Sequence, residues 1–238
     1  MTSPFLGEFM GTLTLILLGD GVVACVLLNK SKGQNGGWMV ITTAWGFAVT
    51  FGVYVAVAFG SKEAFLNPAV ALWWGIGSGD WSKVLVDVPA EILGAFVGGV
   101  LVWLEYLAHW KETEDKGAKL GVFCTIPAIR NPGANLLSEV IGTVALIVGI
   151  GVLGATPNGP FAGGLAPYIV GVLIWAIGLS LGGPTGYAIN PARDLGPRLA
   201  HAVLPIAGKG GSDWGYAWVP IAGPLIGAVL GTLILKAI

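Results

Sequence analysis

The sequence predicts an all-α membrane protein of six transmembrane helices plus two re-entrant half-helices, laid out as an inverted internal repeat. Three observations carry this. Hydrophobic residues make up 55% of the 238 positions and charged residues only 11%, against roughly 25% charged in a soluble domain, so the excess apolar surface has to face lipid. Apolar runs near the length a bilayer span requires, about 20 residues, recur six times. Two shorter apolar stretches are left over, and each carries Asn-Pro-Ala near its start.

The spans are placed at 5–28, 38–59, 84–107, 135–155, 165–182 and 215–237. The first is too long for a cleavable leader and carries Glu8 inside it. Between Glu139 and Arg193 lie 53 residues without Asp, Glu, Lys or Arg, long enough for two spans and something more. The leftover stretches, 64–78 and 186–203, are too short to cross the bilayer as helices. Non-helical backbone at membrane depth is tolerated only where protein buries it or water lines it. Two half-helices around a shared cavity meet that condition. The longest polar stretch, 108–134, reads as an extramembrane loop. The expected organisation is a single channel domain over 1–238, with a first repeat at 1–107, the loop at 108–134 and a second repeat at 135–238.

Several function classes drop out. A net charge of −1 gives no footing for nucleic acid. Cys25 and Cys124 are too few for a disulfide framework or a zinc cluster. His109 and His201 are isolated and read as surface or interface residues. Cys25 reads as packed in the first span, and Cys124 as within reach of thiol reagents. No catalytic residue, metal site or cofactor is expected, and the chain does not read as an enzyme.

The repeat rests on three correspondences in one order. Glu8, Gly11 and Thr12 are matched by Glu139, Gly142 and Thr143, 131 residues on. Asn67-Pro68-Ala69 is matched by Asn190-Pro191-Ala192 at 123, and Gly94-Ala95 by Gly227-Ala228 at 133. Three spans per half is an odd number, so the second copy is inverted, and such repeats put a site at the midplane where the halves meet. Gly223, Gly227 and Gly231 stand four apart, a spacing that lets helix backbones approach closely.

Asn is a strong N-cap and Pro is favoured at the first helical position. Asn67 and Asn190 should therefore each start a half-helix, and inversion points the two starts at each other. Each start carries roughly half a positive charge, and each Asn has amide donors to offer. That field repels cations and protons, while neutral hydroxyl-bearing solutes can accept the hydrogen bonds. Arg193 follows the second tripeptide directly. A charge at this depth usually faces a cavity, and its planar fork adds donors and a second positive barrier. Asp194 beside it is placed to pair with Arg198 or to brace the loop.

With Asn67-Pro-Ala-Val70 and the run from Asn190 to Arg198 in place, the chain resembles the aquaporin and glycerol-facilitator family, the major intrinsic proteins, from Glu8 to Leu235. The resemblance implies a right-handed bundle assembled as a homotetramer, with one pore per subunit, in the cell (plasma) membrane and with both termini cytoplasmic. Asp194, Arg198 and Pro220-Ile221 match the glycerol-conducting branch. By motif, the selectivity filter falls on Trp45, Gly178, Tyr187 and Arg193, with Gly178 leaving room where a water channel carries His. The carbonyls of Ala64, Phe65, Leu66, Gly186, Ala188 and Ile189 are expected to line the pore. Glu8 and Glu139 are expected to brace the two loops, alongside Asp194.

Four residues depart from the family pattern. Phe65 stands for a usual His, Tyr187 for a Phe, Glu91 for a Gln, and Asp20 for an apolar residue; the family role of Asp20 stays open between the outer vestibule and a subunit contact. In the implied orientation Lys62, Lys83 and Lys236 lie inside, and most other basic residues outside, against the positive-inside tendency.

The function implied is passive conduction of small neutral polyols such as glycerol, with water, and with urea, dihydroxyacetone or protonated lactic acid as further candidates. Ions and protons are excluded. The runner-up is a water-selective pore, followed by an ion-coupled secondary transporter. The partners implied are the solutes, the lipid bilayer and three further copies of the chain.

Overall fold

A computed structural model describes residues 2–155 and 164–237. Ten helices appear among the described residues: α1 (Pro4–Leu27), α2 (Trp38–Phe59), α3 (Pro68–Ser78), α4 (Trp81–Glu105), α5 (His109–Glu112), α6 (Lys116–Phe123), α7 (Pro132–Ala155), α8 (Ala166–Leu181), α9 (Pro191–Val203) and α10 (Val219–Lys236). No strand appears among them.

Five helices, α1, α2, α4, α7 and α10, are long and apolar enough to cross a membrane. The fifth expected span is shorter: α8 has 16 residues, about 24 Å at 1.5 Å per residue. The stretch expected as an extramembrane loop contains two short helices, α5 and α6. The two leftover stretches each divide into an extended lead-in and a helix, α3 and α9, beginning at the proline of Asn-Pro-Ala.

Local chemistry sets several of these starts. Ser3 caps α1 by accepting the Leu6 N–H at 3.1 Å, with Pro4 next. Asp80 caps α4 through Ser82 N–H, and Asp115 caps α6 through Gly117 and Ala118 N–H. At the other end of α9, the Lys209 ammonium donates to the carbonyls of Ala202 (2.8 Å) and Leu204 (2.7 Å), closing the negative end of the half-helix.

The packing follows the repeat. α1 packs on α2 and α4, while α7 packs on α10 and α8. Each half-helix crosses to the opposite half: α9 lies against α4, and α3 against α10. The glycine stripes make the tight crossings. A Cβ on Gly98 would lie 2.8 Å from Ile16 Cβ of α1. Cβ atoms on Gly223, Gly227 and Gly231 would lie 2.5, 2.6 and 2.8 Å from the Cβ atoms of Glu139, Thr143 and Ile147 on α7. No side chain fits at these positions unless the helices separate.

Polarity is inverted relative to a water-soluble fold. Glu8, Asp20, Glu91, Asp194, Arg198 and His201 are fully buried, while Met39, Leu85, Ile129 and Val203 are two-thirds or more exposed. An apolar exterior around a charged interior is what lipid as solvent requires.

Two expectations fail here. His201 is not a surface residue; it is enclosed, with Nδ1 2.9 Å from Ser212 Oγ and its ring against Phe123. Cys124 is 1% exposed and closed off from reagents, whereas Cys25 is only half-buried; both are free thiols. The short half-helix α9 buries nearly its whole circumference, and the segment from 108 to 134 folds down over it, which is why neither residue reaches solvent.

Candidate functional site

The site is built from two five-residue lead-ins with the same backbone. Ala64 and Leu66 have φ of 47° and 53°; Tyr187 and Ile189, each 123 residues later, have φ of 40° and 42°. Left-handed non-glycine residues cost of order 1–3 kcal/mol each and persist only when the surroundings hold them. On each lead-in two left-handed residues flank one residue, Phe65 or Ala188, and consecutive N–H groups turn toward the protein side.

Buried carboxylates collect those N–H groups. Glu8 accepts from Phe65 N–H at 2.9 Å and Leu66 N–H at 2.7 Å, and from the Ser61 hydroxyl at 2.5 Å. Glu139 accepts from Ala188 and Ile189 N–H at 2.9 and 2.8 Å. A third carboxylate, Glu91, accepts from Asn67 N–H at 2.9 Å. Sequence reasoning left Glu91 without a role: its position in the second half is Pro224, so the repeat gave no signal.

The two asparagines cap as expected. Asn67 Oδ1 accepts Ala69 N–H, and Asn190 Oδ1 accepts Ala192 and Arg193 N–H. Their amides also cross the midplane. Asn67 Nδ2 donates to the Ile189 carbonyl at 2.8 Å, and Asn190 Nδ2 to the Leu66 carbonyl at 2.7 Å. Each half-helix start is thereby tied to the opposite lead-in, head to head, and each amide keeps one N–H free of these bonds. Pro68, Ala69, Pro191 and Ala192 are buried behind them.

A cavity of about 650 Å³ runs from the exposed Lys62 and Glu63 to Trp45, Tyr187 and Arg193. Both asparagines and the residues Ala64, Phe65, Leu66, Ala188 and Ile189 line it, opposite an apolar wall that includes Val49, Val53 and Ile174. Phe65 turns its ring against Trp74, with centroids 5.7 Å apart. Gly186 and Gly178 do not line this cavity.

Three side chains meet at the Arg193 end of the cavity. The Arg193 guanidinium carbon stands 4.2 Å from the centroid of the Trp45 ring, a cation–π contact. Tyr187 meets the edge of Trp38 at 5.8 Å, and Trp38 Nε1 donates to the Gly178 carbonyl. The buried Tyr187 hydroxyl has no partner within the protein. Gly178 does not leave an open space: a Cβ there would lie 2.7 Å from Tyr187 Cζ and 2.8 Å from its hydroxyl. Gly178 and Gly182, one turn apart, form the groove that seats the tyrosine ring. Sequence reasoning put Gly178 in the right neighbourhood and misjudged what fills it.

Asp194 does both things considered for it. It binds Arg198 Nε and Nη2 at 2.7 and 2.9 Å, and accepts from Thr125 N–H and Oγ at 2.9 and 2.7 Å. This fastens the 108–134 segment to α9. Asp20, whose role stayed open, is fully buried with Oδ1 3.4 Å from Arg193 Nη1.

Comparison with known proteins agrees with this geometry. The family model described as Major intrinsic protein matches residues 1–235. A Thermotoga maritima protein described as "Probable glycerol uptake facilitator protein" is 60% identical over 230 residues, covering 96% of each chain. "Glycerol uptake facilitator protein 3" of Lactiplantibacillus plantarum is 60% identical over 234 residues, covering 98% of this chain and 95% of the relative. The X-ray structure of the aquaglyceroporin from Plasmodium falciparum superposes with a TM-score of 0.82 at 30% identity, covering 97% of this chain and 93% of that one. Paired capped half-helices, tied head to head beside a buried arginine inside an apolar bundle, therefore have a known setting: the chain is a membrane protein and belongs to the major intrinsic protein family.

Proposed function

We propose that this protein is a passive channel for glycerol and similar small neutral polyols, with water as co-permeant. The observation that carries the reading is the two-sided lining of the cavity at its Arg193 end. The Trp45 and Tyr187 rings offer an apolar corner for a carbon backbone, and the Arg193 guanidinium and Tyr187 hydroxyl offer polar partners for its hydroxyls. A polyol has these two sides. Relatives at 60% identity bear glycerol-facilitator names, which supports the same solute.

In this reading Asn67 and Asn190 offer their spare amide N–H groups at the midpoint, and the carbonyls of the lead-ins hand the solute along. The half-helix N-termini set a positive field that turns back cations and protons. The repeats at 1–107 and 135–238 form the two walls, and the segment 108–134 covers the outer mouth. The protein works as a homotetramer in the plasma membrane, with both termini inside.

Stopped-flow light scattering on proteoliposomes, with glycerol and water gradients on one preparation, tests this. Fast entry of both solutes down their gradients, with no proton flux, is expected. Fast water without glycerol would instead place the chain among water-selective pores, and glycerol accumulation driven by an ion gradient would make it a coupled transporter. Labelling of a Thr2→Cys variant in a cysteine-free background checks the orientation: external labelling overturns it.

A further inference from the structure

We infer that Asp20, on α1, is the internal counter-ion of the filter arginine, and that it keeps the constriction from trapping anions. The inference rests on the channel reading above.

Two arginines on α9 are buried, and each has its own aspartate. Arg198 is held by Asp194 through two bonds of 2.7 and 2.9 Å, the fork geometry of a fixed ion pair. Arg193 meets Asp20 through Nη1 alone at 3.4 Å, well beyond the 2.7–2.9 Å typical of a charge-assisted bond. The first pair is a structural clamp. The second is a loose tether that supplies charge without using up the guanidinium. Among the described residues no other side chain hydrogen-bonds or ion-pairs with the Arg193 guanidinium. The rest of its fork lies over Trp45 and lines the cavity.

α1 is shaped for this task. Gly19, the residue before Asp20, leaves the space that the Trp45 ring occupies, since a Cβ there would lie 2.5 Å from Trp45 Cη2. So one turn of α1 seats both the ring under the guanidinium and the carboxylate beside it. Asp20 is fully buried, and its Oδ2 has no partner in the protein. The repeat does not account for it: 131 residues on stands Gly151. A buried acid with a free oxygen is costly unless an opposite charge needs it. Without Asp20, Arg193 becomes an unpaired guanidinium in a low-dielectric passage, which is a binding site for small anions.

The test is water and glycerol flux in proteoliposomes with chloride exchanged for gluconate at constant ionic strength. The wild-type protein should be indifferent to the exchange. D20N should be slowed by chloride, about tenfold at concentrations roughly ten times the dissociation constant, as single-site occupancy requires, and should recover in gluconate. D20E should restore indifference. Chloride-indifferent D20N, or a wild type as chloride-sensitive as D20N, overturns the proposal. Should D20N fail to assemble, the neutral pair D20N/R193Q should assemble again, and its failure to do so also overturns it. Water flux is read alongside glycerol, so loss of the polyol reading leaves this test standing.

Discussion

The two lead-ins share a backbone but divide the labour. At the first left-handed position the first loop carries Ala64 and the second carries Tyr187. The same φ thus presents a methyl in one half and the tyrosine ring in the other. The braces divide the opposite way. The first loop is held by Glu8, Glu91 and Ser61, through bonds to Ala64, Phe65, Leu66 and Asn67. The second is held by Glu139 through two N–H groups, with Thr185 accepting Tyr187 N–H at a longer 3.3 Å. Among the described residues no carboxylate takes the Asn190 N–H, because Pro224 stands where Glu91 stands in the first half. The inverted fold therefore duplicates a geometry and then specialises it. One loop is mechanically over-determined, and the other, which carries selectivity in the reading proposed above, rests on a single carboxylate.

The sharpest way to break this comparison is to neutralise the braces one at a time. Glu139→Gln turns one of two acceptors into a donor facing a buried N–H. Losing a charge-assisted bond and leaving a buried donor unmet costs about 3 kcal/mol in all. Assembly in detergent should become markedly less heat-stable and glycerol flux should collapse, read by thermal size-exclusion profiles and stopped flow. Glu8→Gln should cost less, about 2 kcal/mol, because Ser61 and Glu91 still hold their ends of the loop. A larger loss for Glu8→Gln than for Glu139→Gln would refute the division of labour.

Gly178→Ala asks whether selectivity does sit on the second loop. The new methyl would meet the Tyr187 ring at 2.7 Å, so the ring must move toward the cavity. Glycerol flux should fall several-fold while water flux falls less, in the same vesicles. An equal loss of both would mean that the ring does not set the width.

What the sequence revealed and what it hid follow from the same symmetry. Asn67, Asn190, Glu8 and Glu139 were legible because each has a mate at nearly one offset, and because capping chemistry gives Asn-Pro a start that no distant contact is needed to explain. Glu91 and Asp20 were visible as acids in apolar helices but not as partners, since their mates are Pro224 and Gly151. Their partners lie 24 and 173 residues away, a pairing no local pattern encodes. Gly178 was misjudged for a related reason. A glycine announces missing volume, but only the turn between α8 and the lead-in reveals that Tyr187 fills it. The fifth span was legible to within a residue at each end, 165–182 expected against Ala166–Leu181 for α8, because its apolar run is bounded by glycine on the C-terminal side.

The smallest effect expected is also the most specific. Tyr187→Phe keeps the ring in the groove of Gly178 and Gly182 and removes only the hydroxyl, which bonds to nothing in the protein. Deleting a buried hydroxyl that lacks a partner does not weaken the fold, because an unmet polar group is itself unfavourable by about 1–3 kcal/mol. Heat stability should hold or rise slightly. If the hydroxyl serves the solute, its loss should shift the glycerol-to-water flux ratio by a small factor, about two- to threefold, the worth of one modest hydrogen bond. The corresponding change in the first loop, Ala64→Gly, lies on the mechanical side and should leave that ratio alone. A ratio that moves with Ala64 and not with Tyr187 would reverse the assignment of the two loops. A ratio that moves only with Tyr187 would locate polyol recognition on one side chain, held in place by a backbone strain that both halves share.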